Sequence, residues 1–332
     1  MQVTAGKEGH KVKYYFVLNP VSGRKDHSNS FLRLIKDIAE RLGIDYEIYF
    51  TRHSGDADDY IRRVCRESGN IREDSEPLRF YGIGGDGTVN EMVNGAYGFR
   101  NVEVGVIPQG TGNDYIRNYG SQKDFTNIEK QILGESVPSD LIRYRAEYKG
   151  EITERYCANM FNIGFDCNVV DTTNRVKEWR GFNGSAAYLT SVFMVLAKKK
   201  ETSLRVEYGD GTLWDGNVLL LSIANGCFCG GGIKGTPRAD LRDGLMDVSL
   251  VKGGVTRSYF VKLFPKYMKG THLEDKRIDG VIDYRQEKTL RVTANDESLR
   301  LCVDGEISTQ KSVEFEVVRD AIRFIVPKGA KV

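Results

Sequence analysis

Between residues 14 and 133 the apolar positions alternate between short continuous runs and stripes at helical spacing. Residues 14–18 form an apolar run that stops at Asn19-Pro20, and within 31–42 Leu32, Ile35, Ile38, Ala39 and Leu42 recur every three or four positions. A strand-like stretch at 46–50 follows, then a second helical stripe of Ala57, Tyr60, Ile61, Val64 and Cys65. Third and fourth strand-like runs lie at 78–83 and 102–107, the latter ending at Pro108. Repeated βα units of this kind predict an α/β domain with a parallel sheet, whose ligands gather at the carboxyl ends of the strands. After the turn-like 134–139, with Pro138 and small polar residues, the texture changes. Runs of β-branched and aromatic residues at 141–148, 152–161, 204–208, 218–223, 246–251, 290–293, 299–303 and 313–318 predict a β-rich, sandwich-like C-terminal domain. Two helices, near 185–199 and 256–268, interrupt it, and 322–326 fits a strand of either domain.

Composition narrows the class without adding a function. A chain of 332 residues, 40% apolar, has enough material for two cores. Lys plus Arg (48) nearly balance Asp plus Glu (46), so the broad basic field of a nucleic-acid binder is missing and no nucleic-acid partner is expected. The six cysteines are scattered without CxxC pairs, which suits reduced thiols in a cytoplasmic protein. Residues 1–13 are polar, with no apolar core of an export signal. The longest apolar run, 192–197, is far short of the roughly 20 residues that span a bilayer, so no transmembrane segment is expected and any membrane contact is peripheral.

The candidate chemistry lies where strands end. Residues 79–91 carry an apolar strand into Gly84-Gly85-Asp86-Gly87-Thr88, with a helix expected to start near Thr88. Glycines allow close approach of backbone to a ligand, and a helix start directs unpaired N–H groups at an anion. Asp86 is the odd member, because a carboxylate facing phosphate is repelled unless Mg²⁺ lies between them or it takes a proton from an attacking hydroxyl. Either exception is phosphoryl transfer. Gly82, Gly84 and Gly87 also satisfy the dinucleotide GxGxxG pattern, but that fingerprint belongs on a first strand and its pyrophosphate would meet Asp86; a Walker A sequence is absent. Three more breaks follow strands: 19–23, 51–57 and 108–114. One alone reads as an ordinary turn or cap, whereas four in succession read as a phosphate site.

These motifs, with 237–247 and 303–306, resemble the diacylglycerol kinase catalytic-domain family of bacterial lipid kinases over nearly the whole chain. The resemblance implies an ATP-binding domain at 1–136, completed by about 319–332, and a lipid- and metal-binding domain at 137–318, with ATP and Mg²⁺ in the cleft. It places Asn19, Pro20, Val21, Ser22, Gly23, Thr51, Gly84, Gly85, Asp86, Gly87, Thr88, Val89, Asn90 and Thr111 against ATP. It makes Glu306 the proton acceptor for the lipid hydroxyl, with Asp304 beside it and Asp86 working through Mg²⁺, although Asp86 also qualifies as the base. A second Mg²⁺ site is implied at Asp243 with the carbonyls of Asp240 and Leu245, where the local reading is a solvated Asp-Gly turn.

The acceptor expected is a membrane lipid such as diacylglycerol, reached from the cytoplasm by peripheral contact. Residues 188–200 and 259–269 mix apolar and basic side chains in a way that suits anionic headgroups, and equally suits a helix packed on its own domain. The sequence does not specify the lipid and leaves a homodimer open. Alternatives are an NAD kinase-like or other small-molecule kinase with the same glycine turn, or a non-catalytic nucleotide or lipid sensor.

Overall fold

The computed structural model describes residues 2–5, 14–22, 28–69, 77–164 and 201–330. Gly23 and the helix expected at 185–199 lie outside the described residues. The chain divides into two compact units, Met1–Ser139 with Asp320–Val332, and Asp140–Arg319.

In the first unit, β1 (Gln2–Ala5), β2 (Tyr14–Leu18), β3 (Tyr46–Phe50), β4 (Leu78–Gly84) and β5 (Val102–Pro108) lie in the order β1-β3-β2-β4-β5. The last four strands of that order are mutually parallel, and β1 runs antiparallel along the edge of β3. A parallel sheet buried on both faces needs apolar residues at successive positions, which is why these strands read as runs. Tyr15, Val17, Phe80, Val102 and Val104 pack with α2 (Asp56–Glu67) and α3 (Asp86–Ala96) on one face. Phe16, Leu18, Tyr81, Ile83 and Ile107 pack with α1 (Ser28–Leu42) and the short helix Ile128–Ile132 on the other. Strand β1 was hidden in the polar tail because an edge strand draws its stability from backbone pairing and needs no apolar pattern. The C-terminal strand Ser312–Val326 ends here: Arg323 and Phe324 run parallel beside Glu103 and Val104 of β5.

The second unit is antiparallel. Its strands are β6 (Glu135–Tyr148, from Asp140 on), β7 (Glu151–Cys157), β8 (Met160–Gly164), β9 (Thr202–Tyr208), β10 (Leu213–Ala224), β11 (Met246–Lys252), β12 (Ile282–Glu287), β13 (Thr289–Ala294), β14 (Leu299–Val303), β15 (Glu306–Gln310) and the first part of β16 (Ser312–Val326). Strand β10 pairs with β9 along its first half and with β8 and β11 along its second. Val218, Leu221 and Ile223 enter the main core, while Leu219, Leu220 and Ala224 enter a second cluster under α4 (Arg257–Lys269).

Three expectations change. Residues 135–139, expected as a loop, are strand, because Ser136 and Ser139 spend their hydroxyls on Glu103 and Tyr115 rather than on a local turn. The run 152–161 breaks in two at Ala158-Asn159, whose carbonyls accept from Asn225 and Gly226 instead of a neighbouring strand. Strands β12 and β15 escaped notice because each, among the described residues, pairs with one neighbour and carries mostly polar residues. In α4 Leu263 and Phe264 are buried and Lys266 pairs with Asp275 at 2.7 Å, so this helix turns its apolar side to its own domain.

Candidate active site

The first unit gathers its loops by main-chain hydrogen bonds at the carboxyl ends of the strands. Asn19 N–H donates to Ile83 O at 3.1 Å, Thr51 N–H to Leu18 O at 2.9 Å, and Gln109 N–H to Gly84 O at 2.7 Å. Strand order therefore brings 19–22, 51–55, 84–87 and 108–114 to one end of one sheet. Within the first loop, the Asn19 side chain accepts from Val21 N–H at 3.1 Å, and Val21 projects with 86% of its surface exposed.

The glycines are required by contact. A β-carbon on Gly110 would lie 2.7 Å from Gly85 Cα, and one on Gly84 would lie 2.0 Å from Thr88 Oγ1. Two loops thus touch backbone to backbone, which only glycine permits. Helix α3 starts at Asp86, two residues earlier than expected, with Gly85 as a cap that supplies no side-chain acceptor. Asp86 is therefore the first helical residue, where a negative charge is favoured by the helix dipole.

The carboxylate of Asp86 lies against the 108–114 loop. Its Oδ1 accepts from Asp114 N–H at 2.8 Å, and its Oδ2 stands where a β-carbon on Gly112 would come within 2.7 Å; Asp114 Oδ2 stands 3.2 Å from the same point. Burial raises the Asp86 pKa, and the main-chain N–H groups of Asp114, Tyr115 and Asn113 oppose that rise. Two carboxylates thus border Gly112, and that of Asp114 also pairs with Arg117 at 3.5 Å. Asn113 holds the loop in shape from the left-handed region (φ 48°), accepting from Gly110 N–H at 3.1 Å and donating to Gly110 O at 2.6 Å. Asp114 was not singled out in the sequence; a signal was available in its place next to the glycine loop.

Of the residues expected around a nucleotide, Thr111 is exposed and Ser22, Gly85, Asp86, Gly87 and Asn90 are partly so. Thr88 and Val89 are buried, and Val89 donates its N–H to Gly85 O within the helix, so it brings no free polar group to a ligand.

In the second unit the turn at Asp304-Gly305 joins β14 to β15, with both residues at positive φ (46° and 97°). Asp304 Oδ1 accepts from Met160 N–H at 3.0 Å and Oδ2 from the buried Cys157 thiol at 3.3 Å. Burial, then the charge of Asp304, pushes the Cys157 thiol well above its ordinary range, so it stays a protonated donor. Glu306, at the first position of β15, is exposed. Asp304 is thus anchored while Glu306 is open to solvent.

The 240–247 loop assembles carboxylates of one sign. Asp240 accepts from Arg242 N–H at 3.0 Å, Asp243 from Leu245 N–H at 2.9 Å, and buried Asp140 from Gly244 N–H at 2.8 Å. Burial raises the Asp243 pKa, and Asp240 and Asp140 raise it further. Burial lifts buried Asp247 to about 6, although Tyr284 donates to it at 2.7 Å. Among the described residues no three His, Cys, Asp or Glu side chains converge as a metal cage. The Asp243 carboxylate, beside Asp240 and Asp140, has the oxygen chemistry that a hard cation keeping its waters would take.

A parallel α/β unit with glycine loops drawn around an acidic pair, followed by an antiparallel β unit with acidic turns, has the parts of a phosphotransferase. Residues 13–144 match the model of the diacylglycerol kinase catalytic domain, and residues 159–326 that of the YegS C-terminal NAD kinase beta sandwich-like domain. The diacylglycerol kinase of Bacillus subtilis (strain 168) is 25% identical over 316 residues, 94% of this chain and 95% of that protein. The diacylglycerol kinase of Staphylococcus carnosus (strain TM300) is 28% identical over 321 residues, covering 95% of each. A crystal structure of a diacylglycerol kinase from Bacillus anthracis str. Sterne shares the fold with a TM-score of 0.68 at 19% identity, over 96% of this chain and 98% of that one. The chain belongs to the diacylglycerol kinase catalytic-domain family and is a lipid kinase.

Proposed function

We propose that the enzyme transfers the γ-phosphate of ATP, with Mg²⁺, to a hydroxyl of a membrane lipid such as diacylglycerol. The observation that carries this reading is the seat of Asp86, a carboxylate at a helix start, facing Asp114 across Gly112 among four glycine-bearing or small-residue loops. Residues 19–23, Thr51, 84–88, Asn90 and Thr111 hold the nucleotide, mainly through backbone donors and hydroxyls. Bound Mg²⁺ would neutralise charge on the phosphate oxygens. Asp86 and Asp114 supply carboxylate oxygens on the metal side. Glu306 removes the proton from the lipid hydroxyl, and Asp304, its oxygens held by Met160 and Cys157, fixes the turn that presents Glu306. The Asp243 site shapes the 240–247 loop. Among the described residues no helix is long and apolar enough to cross a membrane, and the lipid is reached from the cytoplasmic face by peripheral contact. Purified protein, γ-labelled ATP and vesicles containing diacylglycerol, phosphatidylglycerol or total lipid extract test the reading, with the product identified by mass spectrometry. Lipid-dependent ATP turnover is expected; turnover on NAD without vesicles, or none at all, overturns it.

A further inference from the structure

Helix α2 begins without a cap of its own. Its N-cap residue is Gly55, in the left-handed region at φ 84°, with no side-chain hydrogen bond to the amides of the first turn. Those amides need acceptors. Asp56 N–H donates to His53 O at 3.3 Å, while Glu91 of α3, outside the helix, accepts from Gly55 N–H at 2.8 Å through Oε1 and from Ala57 N–H at 3.1 Å through Oε2, with Ser54 Oγ at 3.5 Å. The same face of α3 closes on α2 one turn later, where a β-carbon on Gly95 would lie 2.9 Å from Asp58 O. Arg62 of α2, paired with Asp58 at 2.6 Å, donates to Asn94 O of α3. The loop has a second fastening of its own, since Asp56 accepts from Arg52 N–H at 2.7 Å and from Tyr49 O–H at 2.8 Å.

Glu91 lies five positions beyond Asp86 on α3, and the amides it holds lie directly after Thr51–Ser54. One carboxylate therefore ties the loop after β3 to the helix that carries Asp86. We propose that Glu91 is a positioning residue for the nucleotide: it fixes the spacing between the 51–55 loop and the glycine turn at 84–87. This rests on the reading of 51–55 as part of the nucleotide site. A carboxylate suits the task because it accepts through both oxygens, whereas the amide of a glutamine would set an N–H₂ against one of the two backbone donors.

The isosteric variant E91Q, with E91A and T51A beside it, tests this with ATP kinetics on lipid vesicles and amide hydrogen exchange. For E91Q we expect faster exchange over 53–58 with unchanged protection in β4 and β5, and a rise in KM for ATP of about five- to twentyfold, the loss of one cap-strength bond to a charged group, with kcat within about twofold. E91A should show the same pattern more strongly. Unchanged exchange in E91Q overturns the tether. A raised KM for ATP in T51A beside an unchanged one in E91Q overturns the positioning role. If neither variant moves that KM while E91Q exchanges faster, the proposal falls through the nucleotide reading of 51–55, and only the tether stands.

Discussion

The acidic sites of the two units share a main-chain donor but differ in their second partner. In the first unit Asp86 is gripped by backbone: the amide of Asp114 bonds it, and Gly112 leaves room where a single carbon would strike its oxygen. In the second unit Asp304 is gripped partly by a side chain, the Cys157 thiol, and passes the exposed position to Glu306. A backbone-built site is preorganised by the sheet and tolerates no added atoms. A side-chain-built turn can lose a partner and keep its path, so its damage is graded.

The sharpest test of the contrast replaces the two carboxylates. Asp86→Asn should lower lipid phosphorylation by about 10³-fold or more without lowering Tm, since the amide keeps the shape but not the charge that a metal or proton needs. Glu306→Gln should cost about 10²–10⁴-fold through kcat, the usual weight of a general base. Near-normal turnover in either variant removes that residue from the mechanism. Gly112→Ala comes next. Pushing Asp86 aside by part of an ångström should cost about 10–100-fold in kcat with the fold intact by circular dichroism, and an unaffected enzyme would show that the loop yields.

Smaller effects separate structure from chemistry. Asp243→Ala should remove a Mg²⁺-dependent gain in Tm of about 2–4 °C and leave residual turnover, whereas a wild-type Tm indifferent to EDTA would deny the 240–247 loop its cation. Away from both sites, His272 is fully buried against the Tyr267 ring at 4.8 Å, and burial holds its pKa down at about 4. The unfolded chain then binds the proton more readily, so stability is complete above about pH 6.5 and falls as pH drops toward 4. His272→Phe should flatten that slope by about 2 °C in Tm scans while leaving both sites unchanged; an unaltered slope would place the acid sensitivity elsewhere.

Much of this was legible in the sequence, and the losses have physical causes. The stripe from Ala57 to Cys65 and the runs at 14–18 and 78–83 specified both periods, because a sheet covered on both faces leaves little choice of residue. Asp304-Gly305 was legible as a turn. That Asp304 meets Cys157, 147 positions away, was not, since the partner is set by the pairing of β14 with β8. Strands β1, β12 and β15 were lost because edges need no apolar pattern. The 322–326 run, open to either domain, was settled by a parallel place beside β5.

By itself the sequence determined the βα rhythm of the first unit, the strand-rich second unit, the positions where backbone must come close, and the glycine-flanked carboxylate of a kinase. These are local quantities, carried by period, residue size and turn conformation. Only the tertiary structure decided that Asp114 stands opposite Asp86, that Glu91 caps a helix other than its own, and that Val89 faces the core. Strand order and helix packing choose those partners, and no stretch of a few residues carries that information.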